Sequence, residues 1–490
     1  MLKTAGWLLP AILALAGCSS SGQRHEQTLS QALTALGQDK ALIGASNGVM
    51  VRDAESGTVL YQAQAEQRLA PASNMKMFTS LAAFGVLGAD YRFETRLLTT
   101  GEQRGDTLRG DLYLQGSGDP TLHPDDLDTF AATLAQRGIR HIHGRLILDA
   151  SAFDQTPFGA GWSWDDEPFA FAAPISALNY AFTPGGDINV VRVDVQPGAR
   201  AGAPGRVSFY PANDAVTLVN RTTTTTGGDT ALTFDRQPGS NRIVVSGTVA
   251  AQAEASSRLI TVDQPARVVG ALLQNALRAH GITLRGNAEE GVTPAGARLL
   301  AEKTSPPLSR LAVTFLKVSN NGYGEVLTKA MGRKTQGKGD WAAGLQAIGR
   351  FVQSQGIEAG AYRQVDGSGL SRMNQITPQQ LTTLLLAARK QPWFAEWYNA
   401  LPIAGQPGLL VGGTLRSRMV KSAAAGRAHA KSGSMTGVSS LSGYVDSATG
   451  RPLAFAIISN NYLVPGAEVK ALEDRLVETL AACDATVVCR

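Results

Sequence analysis

Thiols, long apolar runs and dense charge are all scarce in this chain. Only three cysteines occur in 490 residues, at positions 18, 483 and 489. That is too few for a disulfide-built scaffold, and neither C-terminal cysteine has a histidine near it in sequence, so neither thiol catalysis nor a Cys-based metal site is expected. Charged residues make up 17% and the net charge is +5, without a concentrated Lys/Arg run. This pattern argues against nucleic acid as a partner. After the N-terminus no stretch reaches the roughly 20 apolar residues of a membrane-spanning helix. His141 and His143 alternate on an expected strand, but no third ligand stands near them, so no metal and no cofactor are expected. What remains is a chain 43% hydrophobic, with enough apolar surface for more than one core and a length that suggests about two to four domains.

The N-terminus reads as targeting. Lys3 precedes a short apolar run, Trp7 to Leu15, that ends in Leu15-Ala16-Gly17-Cys18. This resembles a bacterial lipobox, cut before a cysteine that then becomes lipid-modified. Residues 1–17 are thus expected to be a signal peptide and 18–28 a lipidated tether. Ser19 follows the cysteine where an inner-membrane-retaining Asp would stand, so a periplasmic protein held on the outer membrane of a Gram-negative bacterium is expected. In an oxidising compartment Cys483 and Cys489 are candidates for a disulfide.

Local pattern divides the rest. Gly48 to Ala54 and Thr58 to Ala63 flank a Glu55-Ser56-Gly57 turn and predict a hairpin. Asn74 to Leu87 predicts a buried helix with Pro71 near its first turn. From about Tyr91 to Arg285 short β-type segments dominate. Among them Thr222 to Thr226, followed by Gly227-Gly228, predicts an exposed hairpin. Helical spacing returns at Leu381 to Arg389 and Glu468 to Ala482, around a hairpin of Val438 to Val445 and Pro452 to Ser459. The α/β, then β, then α/β order predicts a split domain with an insertion.

Three fragments carry chemistry. Ser73-Asn74-Met75-Lys76 puts a serine and a lysine on one helical face. A serine hydroxyl needs a base, and a desolvated lysine with its pKa brought to roughly 7–8 can serve. Ser-x-Asn occurs at Ser319/Asn321 and Ser459/Asn461. The second copy ends an apolar run and marks a strand end. The first opens a helix and is the candidate, with Ser319 as proton relay and the Asn321 amide gripping a substrate peptide group. Lys431-Ser432-Gly433 predicts an edge strand with Lys431 and Gly433 on one face, a cation for a substrate carboxylate and a glycine allowing close backbone approach. The backbone N–H groups of Ser73 and Ser434 are the candidate oxyanion donors. Gly44-Ala45-Ser46-Asn47-Gly48 matches an esterase elbow but precedes a strand rather than a helix, so it is rejected.

Ser-x-x-Lys, Ser-x-Asn and Lys-Ser-Gly in this order resemble the parts shared by penicillin-binding proteins and serine β-lactamases. With Gly116-Ser117-Gly118-Asp119-Pro120, Gly161-Trp162-Ser163-Trp164-Asp165-Asp166 and Asp366-Gly367-Ser368-Gly369-Leu370-Ser371-Arg372, the chain resembles the class C low-molecular-mass penicillin-binding proteins, the D-alanyl-D-alanine carboxypeptidase/endopeptidase family (peptidase family S13). The long gap between Ser73 and Ser319 is similar to that family's. A departure is Ser432 where the family has Thr. The resemblance implies a transpeptidase/β-lactamase-like α/β domain with an antiparallel sheet, residues 29–92 and 293–490. It is interrupted by a β-rich domain, 93–182 and 252–292, with a third β-rich domain, 183–251, nested inside. It also implies a serine D-Ala-D-Ala carboxypeptidase or DD-endopeptidase of peptidoglycan stem peptides, acylated at Ser73 and trapped by β-lactam antibiotics; the alternatives are a β-lactamase-like hydrolase and a non-catalytic, lipid-tethered cell-wall-binding protein. Lys431 and Ser432 would then bind the terminal carboxylate, while Asp166, and Phe171 beside it, would line the cleft, Asp166 facing the ammonium of a diamino acid.

Overall fold

The structure, a computed structural model, describes residues 28–483; the signal, Cys18 and Cys489 lie outside the described residues. Its catalytic-side sheet is antiparallel throughout. The strand order is Ala428–Met435, Val438–Asp446, Pro452–Asn460, Ser46–Asp53 and Val59–Ala63. The N-terminal hairpin therefore completes a sheet built by the C-terminal strands, with Ser46 opposite Asn460.

Alternation shows what each face meets. Leu453, Phe455 and Ile457 join a cluster with Leu476, Val477 and Leu480 of the C-terminal helix Gly466–Ala481. Ala454, Ala456 and Ile458 join the cluster of the helices Met75–Val86 and Pro378–Ala388. The strand is buried on both faces, which is why it reads as a continuous apolar run. The helix Leu29–Gly37 lies on the outer layer, begun by a Thr28/Gln31 capping box, so Thr28, the last residue of the expected tether, serves as a helix cap.

The inserted part departs from the expected boundaries. A five-stranded sheet runs Ala288–Glu290, Leu146–Asp149, Leu112–Gly116, Glu94–Thr99, Arg298–Thr304. Because Arg298–Thr304 pairs with Glu94–Thr99, residues up to 304 belong with the insertion and not with the segment 293–490. Likewise Ser256–Thr261 pairs with Val190–Gln196, so it extends the unit expected to end at 251. Nor is the first inserted unit simply β-rich: the amphipathic helices Pro124–Gln136 and Pro265–Ala279 supply much of its core.

The threonine run is not an exposed hairpin. Thr217–Thr225 is one strand, parallel to Arg242–Ala250. Thr222 and Thr224 point inward and their hydroxyls accept the N–H groups of Gly205 and Gly198 at 3.0 and 2.8 Å. Buried hydroxyls are used there to satisfy loop backbone.

Candidate active site

The turn before the first long helix is tight. Residues Ala72–Asn74 form a 3₁₀ turn and the α-helix proper begins at Met75. Ala72 has φ +48°, a strained left-handed backbone for a residue with a Cβ. Two glycines press on this turn. A Cβ on Gly369 would lie 1.9 Å from the Ala72 carbonyl, and one on Gly433 would lie 2.5 Å from the Pro71 carbonyl and 3.0 Å from the Ser73 nitrogen. Gly433 thus makes room for the turn bearing Ser73, rather than only for a substrate.

Lys76, one turn beyond Ser73, is fully buried. Its Nζ lies 2.9 Å from Ser73 Oγ, 2.6 Å from Asn321 Oδ1 and 2.7 Å from the Ser368 carbonyl. Burial brings its pKa down to about 7, against the opposing pull of Glu325 and Asp366.

The first Ser-x-Asn sits where the helix Asn321–Gln336 starts. Asn320 caps it, accepting the Tyr323 N–H at 3.2 Å, and Ser319 takes φ +64°. Asn321 is anchored at both ends of its amide: its Oδ1 takes the Lys76 amine and one N–H of its Nδ2 donates to the Phe171 carbonyl at 2.8 Å, which leaves the second N–H of Nδ2 as the donor for a substrate. The other copy is structural. Ser459 lies in the sheet and donates to Asn47 Oδ1 at 2.7 Å.

Lys431 lies on the edge strand and is also fully buried. Its Nζ reaches Ser319 Oγ at 2.7 Å and the Ser432 carbonyl at 2.6 Å. Burial first, and then the charge of Lys76, holds its pKa well below the ordinary lysine value. The cation expected to meet a carboxylate directly is therefore set behind Ser319. The Ser432 hydroxyl donates to Thr414 Oγ1 at 2.8 Å, tying the edge strand to the loop Gly413–Leu415.

Ser73, Ser319, Asn321 and Ser434 line one cleft of about 540 Å³, together with Asp165, Asp166, Phe171 and Arg372. Asp166 is half-buried, its carboxyl pushed up by desolvation and by Asp165, with Arg372 pulling it down. The Phe171 ring stacks parallel on Phe169 at 5.5 Å. Cys483 is buried and disulfide-bonded.

Four contributors were given no role from sequence: Glu325, and the Ser368 carbonyl, Asp366 and Arg372 of the stretch that helped carry the resemblance. A backbone carbonyl leaves no residue-type signature. Glu325 did leave one, because it stands four residues after Asn321 on the same helical face.

The chain matches the model of the D-Ala-D-Ala carboxypeptidase 3 (S13) family over residues 29–483. It is 41% identical over 480 residues to a D-alanyl-D-alanine carboxypeptidase of Actinomadura sp. (strain R39), covering 97% of this chain and 88% of that one. It is 27% identical to the D-alanyl-D-alanine carboxypeptidase DacB of Haemophilus influenzae (strain ATCC 51907 / DSM 11121 / KW20 / Rd), over 89% of each. The crystal structure of penicillin binding protein 4 (dacB) from Haemophilus influenzae matches with a TM-score of 0.80 at 26% identity, covering 91% of this chain and 98% of that one. The same protein complexed with a β-lactam matches with a TM-score of 0.75. The tight turn at Ser73, a buried lysine and a second serine–lysine pair converge here on a fold and a sequence that agree, and the chain belongs to the D-Ala-D-Ala carboxypeptidase 3 (S13) family.

Proposed function

We propose that this protein is a serine D-Ala-D-Ala carboxypeptidase and DD-endopeptidase that acts on peptidoglycan stem peptides and cross-links through an acyl-enzyme on Ser73. One observation carries the reading: the three partners of Lys76 Nζ. A neutral amine has two N–H bonds and one lone pair. Asn321 Oδ1 and the Ser368 carbonyl can only accept, so they take the two N–H bonds. The lone pair is left facing the Ser73 hydroxyl at 2.9 Å, within the reach a general base needs.

Lys76 takes the Ser73 proton as Oγ attacks the carbonyl of the penultimate D-alanine. The Ser73 and Ser434 N–H groups receive the oxyanion, each such donor typically worth about 2.7–4 kcal/mol. The C–N bond breaks as Ser319 hands a proton to the leaving amine and is reprotonated from Lys431, whose Nζ lies 2.7 Å from its Oγ, while Lys76 keeps the Ser73 proton. Water then attacks the ester by the reverse route and frees Ser73. Lys431, behind Ser319, adds positive potential for the terminal carboxylate. Ser434 and Arg372, which line the cleft, provide direct polar partners. A β-lactam presents a carbonyl and a carboxylate in the same relation, so it acylates the same oxygen. The names of the relatives support both substrate and inhibitor class.

Asp166 gives the cleft an acidic wall suited to the side-chain ammonium of a diamino acid in the stem peptide. Asp166→Ala should slow a diaminopimelate peptide by roughly threefold to tenfold relative to one with a neutral third residue. Equal slowing of both would remove this role. Leu15-Ala16-Gly17-Cys18 supports a lipid anchor at Cys18 and a periplasmic site of action on the outer membrane.

The test is mass spectrometry of the penicillin-treated protein beside D-alanine release from an acyl-D-Ala-D-Ala peptide. A penicilloyl mass on the Ser73 peptide is expected, and both signals should vanish in Ser73→Ala. Peptidase activity that survives in Ser73→Ala would overturn the proposal.

A further inference from the structure

The loop that supplies the Ser368 carbonyl is gripped by two fully buried carboxylates. Glu325 accepts the N–H groups of Gly367 and Ser368, each at 2.8 Å, and the Trp341 indole N–H at 2.7 Å. Asp366 accepts the N–H groups of Gly369 and Ser371 at 2.8 and 2.7 Å, Asn374 Nδ2 at 2.8 Å and the Trp162 indole at 3.1 Å. All of these partners are donors, and a protonated acid would need an acceptor for its own hydrogen. The geometry therefore holds both groups ionised, although burial pushes each upward and the charge of Asp366 adds to the push on Glu325.

Their effect reaches the base through single peptide units. The Gly369 N–H bonded to Asp366 and the Ser368 carbonyl bonded to Lys76 belong to the same peptide group. A carboxylate on one end of that group polarises it and makes the carbonyl at the other end a stronger acceptor. The preceding peptide group is fixed likewise: its N–H goes to Glu325 and its carbonyl accepts the Thr79 hydroxyl at 2.7 Å. Thr79 lies on the same helix as Lys76 and three residues on.

We propose that Asp366 and Glu325 are positioning residues which, through the backbone of residues 366–369, aim the Lys76 lone pair at Ser73 and balance the charge of its protonated form. The charged groups around Lys76 are these two carboxylates, on the loop and on the helix Asn321–Gln336, and Lys431 on the edge strand. Lys76 thus stands between two buried carboxylates and one buried lysine.

This deepens the acyl-enzyme reading and rests on it. The experiment is the pH dependence of the second-order rate of Ser73 acylation by penicillin in the full chain. It compares wild type, Glu325→Gln, Asp366→Asn and Thr79→Val, with thermal melts to verify folding. Loss of one negative charge disfavours the Lys76 ammonium, so the acidic limb should move down by about one pH unit or more. Its plateau should fall about tenfold or more, because the loop is no longer held. Thr79→Val removes a loop contact without a charge and should lower the rate with the limb in place. An unmoved or raised limb in the folded isosteric variants overturns the inference. Collapse of both variants while Thr79→Val folds overturns it in favour of a purely structural role. If the wild type itself is not acylated, the function fails instead, so the two failures are distinguishable.

Discussion

Replacing Gly433 with alanine tests the claim that this glycine serves the nucleophile's turn. The new Cβ would meet Ser440 Oγ at 2.4 Å, the Pro71 carbonyl at 2.5 Å and the Ser73 nitrogen at 3.0 Å. None of these can easily yield. Ser440 Oγ donates to the Pro71 carbonyl at 2.7 Å and accepts Asn74 Nδ2 at 2.6 Å, so swinging it away breaks two buried hydrogen bonds. The other two are backbone atoms of the strained turn. The cheapest relief is for the edge strand Ala428–Met435 to move outward by most of an ångström, because it is paired on one side only. Overpacking of this kind costs about 1–3 kcal/mol. The functional cost is larger: the shift parts the Ser73 and Ser434 N–H groups and carries Lys431 from Ser319, and a displacement near 1 Å costs about 100-fold in rate. Acylation by labelled penicillin, read on a gel against time, should fall by that order while the melting temperature drops modestly. A small boronate that touches little beyond the nucleophile distinguishes the alternatives. If Gly433 mattered only for substrate approach, boronate binding would be kept. Acylation within about threefold of wild type would refute the reasoning altogether.

Other expectations follow from the same contacts. The proposed mechanism requires neutral Lys76, so the acylation rate should rise with pH through about 7, where burial has placed the lysine; a profile flat from pH 5 to 9 (on the order of four pH units about the general-base midpoint) would contradict the assignment. The same depression sets a stability slope. Between 10.5 and about 7 the unfolded chain takes up a proton that folded Lys76 does not, so stability should fall as pH drops across that window and level off below it. Relative to Lys76→Met, the wild-type melting temperature should therefore decline from pH 10.5 toward 7. Ser319→Ala removes the proposed relay and should slow both acylation and release by about 10²–10⁴-fold; a penicilloyl-enzyme formed at the wild-type rate would show the hydroxyl to be dispensable. Arg418 pairs with fully buried Glu473 at 2.9 Å and with Asp474 at 2.7 Å. Arg418→Ala strands Glu473 with only the Ser439 hydroxyl, which bonds it at 2.7 Å, and should cost about 3–5 kcal/mol in urea unfolding.

Local chemistry was the legible part of this molecule. Ser73 and Lys76 are three residues apart, and helical geometry alone stacks them. Lys431 and Gly433 sit between an Ala-rich loop and an alternating strand, and that alternation predicted their shared face. The choice of Ser319 over Ser459 rested on what followed each: a helix start in one case, the end of an apolar run in the other. What stayed hidden depends on partners distant in sequence. No composition shift near 293 marks that Arg298–Thr304 will pair with Glu94–Thr99 rather than return to the catalytic side. Thr222 and Thr224 looked solvated because threonine is polar, yet their use is to cap backbone donors from a loop about twenty residues upstream, and only the folded chain shows the demand. Asn321 was read as reaching outward because its amide is versatile; its ties to Phe171 and Lys76, which fix where the remaining N–H points, come from partners distant in sequence.

The second lysine changes most between sequence and structure, and the change gives the proposed relay a direction. An exposed Lys431 would be a point charge for a carboxylate and nothing more. Buried 2.7 Å from Ser319 Oγ, its ammonium must donate to that oxygen, for it has no lone pair to accept with. The Ser319 hydrogen is then turned away from Lys431 and out toward the cleft, where the leaving amine forms. Lys76 and Lys431 cannot both be comfortably charged, since each is fully buried and the charge of Lys76 depresses Lys431. While Lys76 is neutral and waiting for the Ser73 proton, Lys431 can hold its charge and orient Ser319. Once Lys76 becomes an ammonium, repulsion adds to burial in favouring release of the Lys431 proton to Ser319. The proposed direction of transfer, from Ser73 to Lys76 and from Lys431 through Ser319 to the departing amine, then follows from two lysines competing for one charge.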